Sequence, residues 1–267
     1  MKVYPFNEEI LQAALADLSP GGLRYYSTIG STNDLALAWA AEGAPDFSLV
    51  VADEQTRGRG RDDTHWYSPA GTCLAFSLVL RPDIVKIPPT GFFTGLGALA
   101  VVEAIQKLDG NLPTKIKWPN DVLVRGQKCC GILTETAWLG EKLEYLVIGM
   151  GVNVHPGSEA FPGEHHFPST CLAHETEAEI DRSSLLHDIL ASLVGWRARL
   201  GEESFIREWE RHLAYTDQEI VVTTREGRSR YGVVKGLGED GSLHLQDPSG
   251  KDFFIHSGSV LLRHNPV

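Results

Sequence analysis

Cysteine is scarce in this chain of 267 residues, and its four thiols, Cys73, Cys129, Cys130 and Cys171, include no Cys-x-x-Cys pair. That spacing removes the common signatures of a structural zinc or a redox couple, and adjacent Cys129 and Cys130 would face opposite sides of a strand. Four reduced, mostly buried thiols are expected. Long apolar runs are missing too: none approaches the roughly 20 residues that span a bilayer. The opening MKVYPFNEEI lacks the apolar stretch of a signal peptide, so a cytoplasmic protein with no membrane partner is expected. Positive charge is in deficit, with 24 Lys and Arg against 35 Asp and Glu and a formal net charge of −11. A mostly acidic surface suits a phosphate backbone poorly. The roughly twenty residues ahead of the first strand cannot supply the several helices of a winged-helix DNA-binding domain, so no DNA partner is expected.

What is present is ample core material, 42% hydrophobic residues, enough for one large domain plus a small one. Residues 7–18 set Ile10, Leu11, Ala14, Leu15 and Leu18 on one helical face behind Asn7 as N-cap. Leu23 to Ile29 reads as a strand, and Ser31-Thr32-Asn33-Asp34 offers capping oxygens to a helix reaching Gly43. Strands are expected over Phe47–Val51 and Gly71–Leu80, an irregular segment at Pro82, Pro88 and Pro89, and a long core helix over Thr90–Leu108. Lys115–Trp118, Val122–Val124, Gly131–Thr136 and Leu143–Val154 follow as strands. The short turns between them, at Arg125-Gly126-Gln127 and Leu139-Gly140-Glu141, force antiparallel neighbours. The expected fold is therefore α+β, a mixed or antiparallel sheet with helices on one face, and not a Rossmann unit. Residues 155–170, rich in Pro, Gly and His, read as an exposed loop rather than a metal site at His155, His165 and His166. Helices over Ser183–Leu200 and Glu202–Leu213 close the larger portion, residues 1–215. From 216 to 267 the short strands Glu219–Thr224, Ser229–Lys235, Ser242–Gln246 and Lys251–His256 read as a small separate β-barrel.

Five stretches carry chemistry beyond this scaffold. Ala52 to Trp66, ADEQTRGRGRDDTHW, follows the Phe47–Val51 strand and alternates Gly58 and Gly60 with Arg57, Arg59 and Arg61. Its glycines can take positive φ and bring backbone N–H groups to an anion, and its guanidinium forks match phosphate or carboxylate. Crowded arginines suggest a loop that orders when an anion arrives; a solvated flexible turn is the plainer reading. Gln55 and Trp66 bracket it, a neutral amide and an apolar wall. Ser31, Thr32 and Asn33 are either helix caps or small polar partners for a neutral ligand head. Lys117-Trp118-Pro119-Asn120-Asp121 joins a cation, an aromatic, a rigid bend and two oxygen donors suited to nucleotide-borne Mg²⁺, or is an ordinary Asn-Asp turn. Lys128 ahead of Gly131-Ile132-Leu133 is a snorkelling edge residue or a charge aimed into a site. In Gly149-Met150-Gly151-Val152-Asn153 the glycines mark a bulge or backbone pressed against a ligand.

In this order and spacing these stretches resemble biotin protein ligases, also called biotin–acetyl-CoA-carboxylase ligases, most strongly over residues 23–155. The resemblance implies a biotin/lipoate ligase-like catalytic fold related to class II synthetases, a C-terminal SH3-like barrel, and the short type without an N-terminal DNA-binding domain. It implies adenylation of biotin by ATP to biotinyl-5′-AMP, then transfer to a lysine of a biotin carboxyl carrier protein, with Mg²⁺ accompanying ATP. In such enzymes exposed sheet edges commonly pair two subunits, so a homodimer is an expectation. By resemblance Lys128 and Arg59 are catalytic. Ser31, Thr32, Asn33, Gln55, Arg59, Gly60, Arg61, Trp66, Lys128 and Gly131 would hold biotin. Gly58, Arg59, Arg61, Lys117, Trp118, Asn120 and Asn153 would hold ATP, and Asp121 would hold Mg²⁺. Departures from the family pattern are Asp62-Asp63-Thr64-His65, where further basic residues are frequent, and His155, where a second Asn is frequent. The first implies a less cationic loop and a weaker hold on the adenylate. Competing readings are a lipoate or octanoate ligase or transferase on the same fold, a non-catalytic biotin sensor, and a Gly-Arg nucleic-acid module. The acidic balance and the lack of interleaved aromatics speak against the last.

Overall fold

The computed structural model describes residues 4–62, 64–81, 89–159, 167–224 and 227–263. Its organising element is an eight-stranded sheet in the order β1-β2-β4-β8-β7-β6-β5, with β3 paired to β2. These strands are β1 (Gly22–Ile29), β2 (Ser48–Arg59), β3 (His65–Ser68), β4 (Cys73–Leu80), β5 (Thr114–Lys117), β6 (Asp121–Val124), β7 (Gln127–Leu139) and β8 (Lys142–Asn153). Only β1 and β2 run parallel, because α2 (Thr32–Ala41) carries the chain back between them; the other pairings are antiparallel. The turn from β6 to β7 puts Arg125 at φ 48° and Gly126 at φ 79°, the left-handed pair that a tight hairpin needs.

Local sequence sets the helix starts. Asn7 accepts from the Ile10 N–H at 3.0 Å ahead of α1 (Glu8–Ala14), and Ser31 caps α2 through the Asp34 N–H at 3.4 Å. A short 3₁₀ turn, Ala16–Leu18, completes the expected first helix. Asp181 caps α5 (Arg182–Arg197). α3 (Gly91–Leu108) is apolar and long enough by composition to cross a membrane, but most of it is buried within the fold. Gly95 lies in it against Trp209, whose ring a β-carbon would meet at 2.6 Å.

The helices do not share one face of the sheet, contrary to the sequence expectation. Strand alternation sends Leu49, Val51 and Leu78 toward α1, α3 and α5, and Val50, Val79 and Val147 toward Ala36 and Ala40 of α2. The parallel β1–α2–β2 crossover puts α2 on the second face. The irregularity expected at Pro82 and Pro88, and His165 and His166, lie outside the described residues.

The C-terminal portion forms a five-stranded antiparallel sheet compatible with an SH3-like domain, in the order β12-β11-β10-β9-β13. Its strands are β9 (Glu219–Thr223), β10 (Ser229–Leu237), β11 (Leu243–Gln246), β12 (Asp252–Ile255) and β13 (Ser259–Leu262). Its core is not separate: Ile220, Val222, Val234, Leu243 and Leu245 belong to the same buried cluster as Phe205 and Trp209 of α6 (Glu203–Arg211). Glu210 accepts from the Leu237 N–H at 2.7 Å, and the Trp118 indole donates to the Gly241 carbonyl at 3.1 Å. The small sheet therefore leans on the larger body, as its size requires.

Candidate functional site

The Gly-Arg stretch is a hairpin where the sequence suggests a loop starting at Ala52. β2 continues to Arg59 and pairs with β3 through Gly58–Trp66 and Arg59–His65. Neither Gly58 nor Gly60 has positive φ; the left-handed residue is Asp62, at φ 53°. The glycines serve close approach instead, since a β-carbon at Gly58 would strike the Trp66 carbonyl and one at Gly60 the Thr64 hydroxyl. Nor does arginine repulsion keep the segment open. Arg59 is held by Glu135 of β7 through two hydrogen bonds, 3.1 and 2.6 Å, and by Asp34 at 2.7 Å. That carboxylate contact secures its charge still further. Arg61 donates to Asn120 at 3.1 Å and to the Gly258 carbonyl at 3.4 Å, with Asp62 4.0 Å away. Asp63 lies outside the described residues.

Beneath this hairpin opens a cavity of about 830 Å³. It is bounded by Ser31, Thr32, Asn33, Gln55, Arg59, Gly60, Arg61, Trp66, Lys117, Trp118, Asn120, Asp121, Lys128, Gly131 and Asn153. Of the residues assigned to biotin, ATP or Mg²⁺ by the resemblance, Gly58 alone is absent from its wall; it lines a smaller hollow with Arg57.

One end is polar and neutral. Gln55 accepts from both the Thr32 N–H at 2.8 Å and the Thr32 hydroxyl at 3.0 Å. Ser77 of β4 donates to Asn33 Oδ1 at 2.6 Å and lies 2.8 Å from the Thr32 hydroxyl. Asn33 also donates to the Leu133 carbonyl at 3.3 Å and to Glu135 at 2.8 Å. Its amide is thus bound on both sides by protein, so it braces the wall, while Ser31, the N-cap of α2, and Thr32, its first residue, both border the cavity.

The middle is apolar. The Trp66 indole lies over Gly131 and Gly151: a β-carbon at Gly131 would come within 2.9 Å of the ring, and one at Gly151 would overlap it. The two glycines of β7 and β8 therefore make the slot that the ring fills. Its Nε1 is buried without a hydrogen-bond partner among the described residues. The Lys128 ammonium stands 5.5 Å from the ring centroid.

The far end is cationic. Asp121 is buried between Lys117, 3.1 Å from Oδ2, and Lys128, 2.6 Å from Oδ1. Burial opposes its charge, but the two ammonium groups prevail and hold its carboxyl below the usual range. Asp121, the residue expected to hold Mg²⁺, is thus already covered by two ammonium groups, which makes it a poor ligand for a further cation. Asn120 is likewise committed, accepting from Arg61 and donating to the Ile132 carbonyl at 3.1 Å. The Asn153 amide donates to the Thr170 carbonyl at 3.1 Å, leaving its buried Oδ1 without a hydrogen bond among the described residues.

Several contributors escape a reading of the sequence. Glu135 and Ser77 carry a usable signal, a polar residue inside a largely apolar strand. Phe167, 4.5 Å beneath the Lys117 ammonium, carries none, and neither do Ser259, Val260 and Leu261 of β13, which bring the C-terminal sheet to the cavity edge. His155, by contrast, stays outside the cavity wall; burial and nearby Arg182 lower its pKa. No cysteine lines the cavity. All four are buried, burial pushes the Cys73 and Cys171 thiols up to about 11, and Cys129 and Cys130 are raised as well.

Residues 25–153 match the model of the biotin/lipoate A/B protein ligase family. The bifunctional ligase/repressor BirA of Bacillus spizizenii is 36% identical over 85% of this chain and 70% of its own length. A biotin–[acetyl-CoA-carboxylase] ligase of Paracoccus denitrificans is 33% identical over 83% of this chain and 92% of its own. Among solved structures, the biotin protein ligase of Aquifex aeolicus in complex with biotin and ATP superimposes with a TM-score of 0.77 at 27% identity, covering 91% of this chain and 99% of that one. With the hairpin, the glycine slot and the lysine pair falling inside the matched span, the chain belongs to the biotin/lipoate A/B protein ligase family.

Proposed function

We propose that this chain is an ATP-dependent biotin ligase that makes biotinyl-5′-AMP and passes biotin to a lysine of a biotin carboxyl carrier protein. The observation that carries the reading is the polarity gradient along one cavity, from the Gln55–Thr32–Ser77 group, past Trp66, to Lys128 and Lys117. A ureido ring needs hydrogen-bonding partners at one end, a thiophane ring and valeryl chain need the apolar slot, and a carboxylate beside a phosphate needs the cations. A lipoyl or octanoyl group has no polar head to exchange hydrogen bonds with Gln55 and Thr32, so it gains nothing at that end.

In the first step a biotin carboxylate oxygen attacks the α-phosphorus of ATP and pyrophosphate leaves. In the second, the carrier's lysine amine attacks the acyl carbon of the mixed anhydride and AMP leaves. Both nucleophiles arrive with substrates, consistent with the inert thiols. Lys128 is assigned to the charge that builds around the α-phosphate, and Arg59 and Arg61 to covering it. Arg59 must exchange Glu135 for the ligand's oxygens, so closure here is a swap of partners. Lys117, Asn120 and Asn153 are assigned to the nucleotide. Mg²⁺ is assigned only as the ion accompanying ATP, and no residue is assigned to it. A sensor would have no use for this paired-lysine end.

The direct test incubates the chain with ATP, biotin and a biotin carboxyl carrier domain, and reads covalent biotin by mass spectrometry. Addition of one biotinyl group, absent when the carrier's lysine is changed to Arg, is expected. Tight biotin binding without transfer, or acylation by lipoate instead, would overturn the reading.

A further inference from the structure

Beside the cavity, the thiol of Cys171, the carboxylate of Glu159 and the imidazole of His174 converge, one ligand atom from each lying within 4.8 Å of the other two. Glu159 belongs to the segment leaving β8, Cys171 is the residue before α4 (Leu172–Glu175), and His174 lies in that helix. The two parts of the chain are anchored independently of any ion. The His174 N–H donates to the Cys171 carbonyl at 3.1 Å, the Thr170 N–H to the Lys128 carbonyl at 2.9 Å, and the Thr170 hydroxyl to Glu175 at 2.6 Å. On the other side, Glu159 accepts from the Gly157 N–H and, through its carbonyl, from the Ser169 hydroxyl, each at 3.0 Å.

We propose that Glu159, Cys171 and His174 bind one zinc-type divalent cation, with water as the fourth ligand. The donor set, one sulfur, one nitrogen and one oxygen, suits a borderline-soft ion that prefers four-coordination and not the all-oxygen preference of Mg²⁺ or Ca²⁺. The geometry is near to hand as well. Tetrahedral bonds of about 2.0–2.3 Å hold neighbouring donors roughly 3.3–3.8 Å apart, and His174 Nδ1 already stands 3.7 Å from Glu159 Oε1. Binding exchanges S–H for S–metal and releases the thiol proton to solvent. His174 is half exposed, which leaves a route for the ion to enter. A spacing search for Cys-x-x-Cys passes over this site because its second ligand is Cys-x-x-His and its third comes from Glu159.

The ion would tie the start of the 159–171 segment to its end, and Glu159 and Ser169 border the ligand cavity. Its role is therefore to hold that wall. The inference does not depend on the biotin reading.

The test uses the full chain without a histidine tag, stripped with chelator and titrated with Co²⁺ and then Zn²⁺. One ion per chain is expected, with a near-ultraviolet thiolate-to-cobalt absorption that Cys171→Ser abolishes and Cys129→Ser retains. His174→Ala, at an exposed position that leaves the fold intact, should weaken Zn²⁺ by about tenfold or more. Less than stoichiometric binding, or unchanged binding in His174→Ala, would show that Glu159 and His174 form an ordinary ion pair and would overturn the proposal.

Discussion

Replacing Gly151 with Ala places a methyl group where the Trp66 indole now lies, overlapping both Nε1 and Cε2. The backbone there is strand β8, fixed on both sides by β4 and β7 at Ala75 and Gly131, so the ring must yield and not the sheet. It cannot retreat toward β7, because Gly131 sits at its other edge, so close that a β-carbon there would stand 2.9 Å from the ring. Tilting the ring into the cavity narrows the slot assigned to biotin's thiophane and chain. Overpacking a tight site costs about 1–3 kcal/mol. If that cost falls on the bound state, biotin affinity drops about 5- to 150-fold. Calorimetric titration of biotin gives the affinity, and a melting curve confirms that the variant is folded. A double variant with Trp66→Ala supplies the control: with the ring gone the added methyl should cost little, so the two changes should be strongly non-additive. Biotin affinity within twofold of the parent in Gly151→Ala, or additive effects, would refute the glycine-slot account.

Asp121→Asn should leave the buried Lys117 ammonium and the part-exposed Lys128 ammonium without their shared counter-charge and destabilise the fold, by about 3 kcal/mol at the lower end of the range for a broken buried pair; a chemical-denaturation midpoint unchanged from the parent would contradict this charge cluster. Glu135→Ala should release Arg59 from its two-point hold and speed tryptic cleavage after Arg59 in the ligand-free chain, whereas an unchanged cleavage rate would mean that Glu135 does not secure the hairpin. A pH effect is expected at His187, which bonds Asp17 at 3.0 Å and Asp188 at 3.1 Å. Those carboxylates raise its pKa, Asp17 foremost, while His187 in turn lowers that of Asp17. The raised His187 value makes its contribution complete below its unfolded pKa of about 6.5, and lost as pH climbs through the higher folded value. Melting temperatures of the parent and His187→Gln should therefore converge as pH is raised from mildly acid to alkaline; a constant gap would remove the linkage.

The antiparallel part of the sheet is legible in the sequence because its turns are local. Arg125-Gly126 sits between two apolar runs and dictates a hairpin wherever it stands. The face that α2 covers is not legible, since it depends on a crossover between β1 and β2 and on which alternate valines the register turns outward. The Gly-Arg stretch reads as a loop for a similar reason: what Gly58 must avoid, the Trp66 carbonyl, is brought beside it only by the β2–β3 pairing. Asp121 reads as a metal donor because its lysines are not both its neighbours in the chain. Lys117 arrives by the β5–β6 register and Lys128 from β7 across a bulge. The polar end of the cavity is half visible. Gln55 and Thr32 stand out, but Ser77, which completes their group, looks like one hydroxyl in an apolar strand. β13 leaves no trace, being four residues without a turn signal of its own kind.

The central claim is that this cavity adenylates biotin through its paired-lysine end. The measurement that tests it most directly is pyrophosphate–ATP exchange by the purified chain, with biotin, lipoate and octanoate as the acid in parallel and Lys128→Ala alongside. Exchange with biotin alone, reduced by about 10²–10³ in a Lys128→Ala variant that a melting curve shows to be folded at the assay temperature, is the predicted result. Exchange with lipoate or octanoate, or a Lys128→Ala rate equal to the parent's, would contradict it.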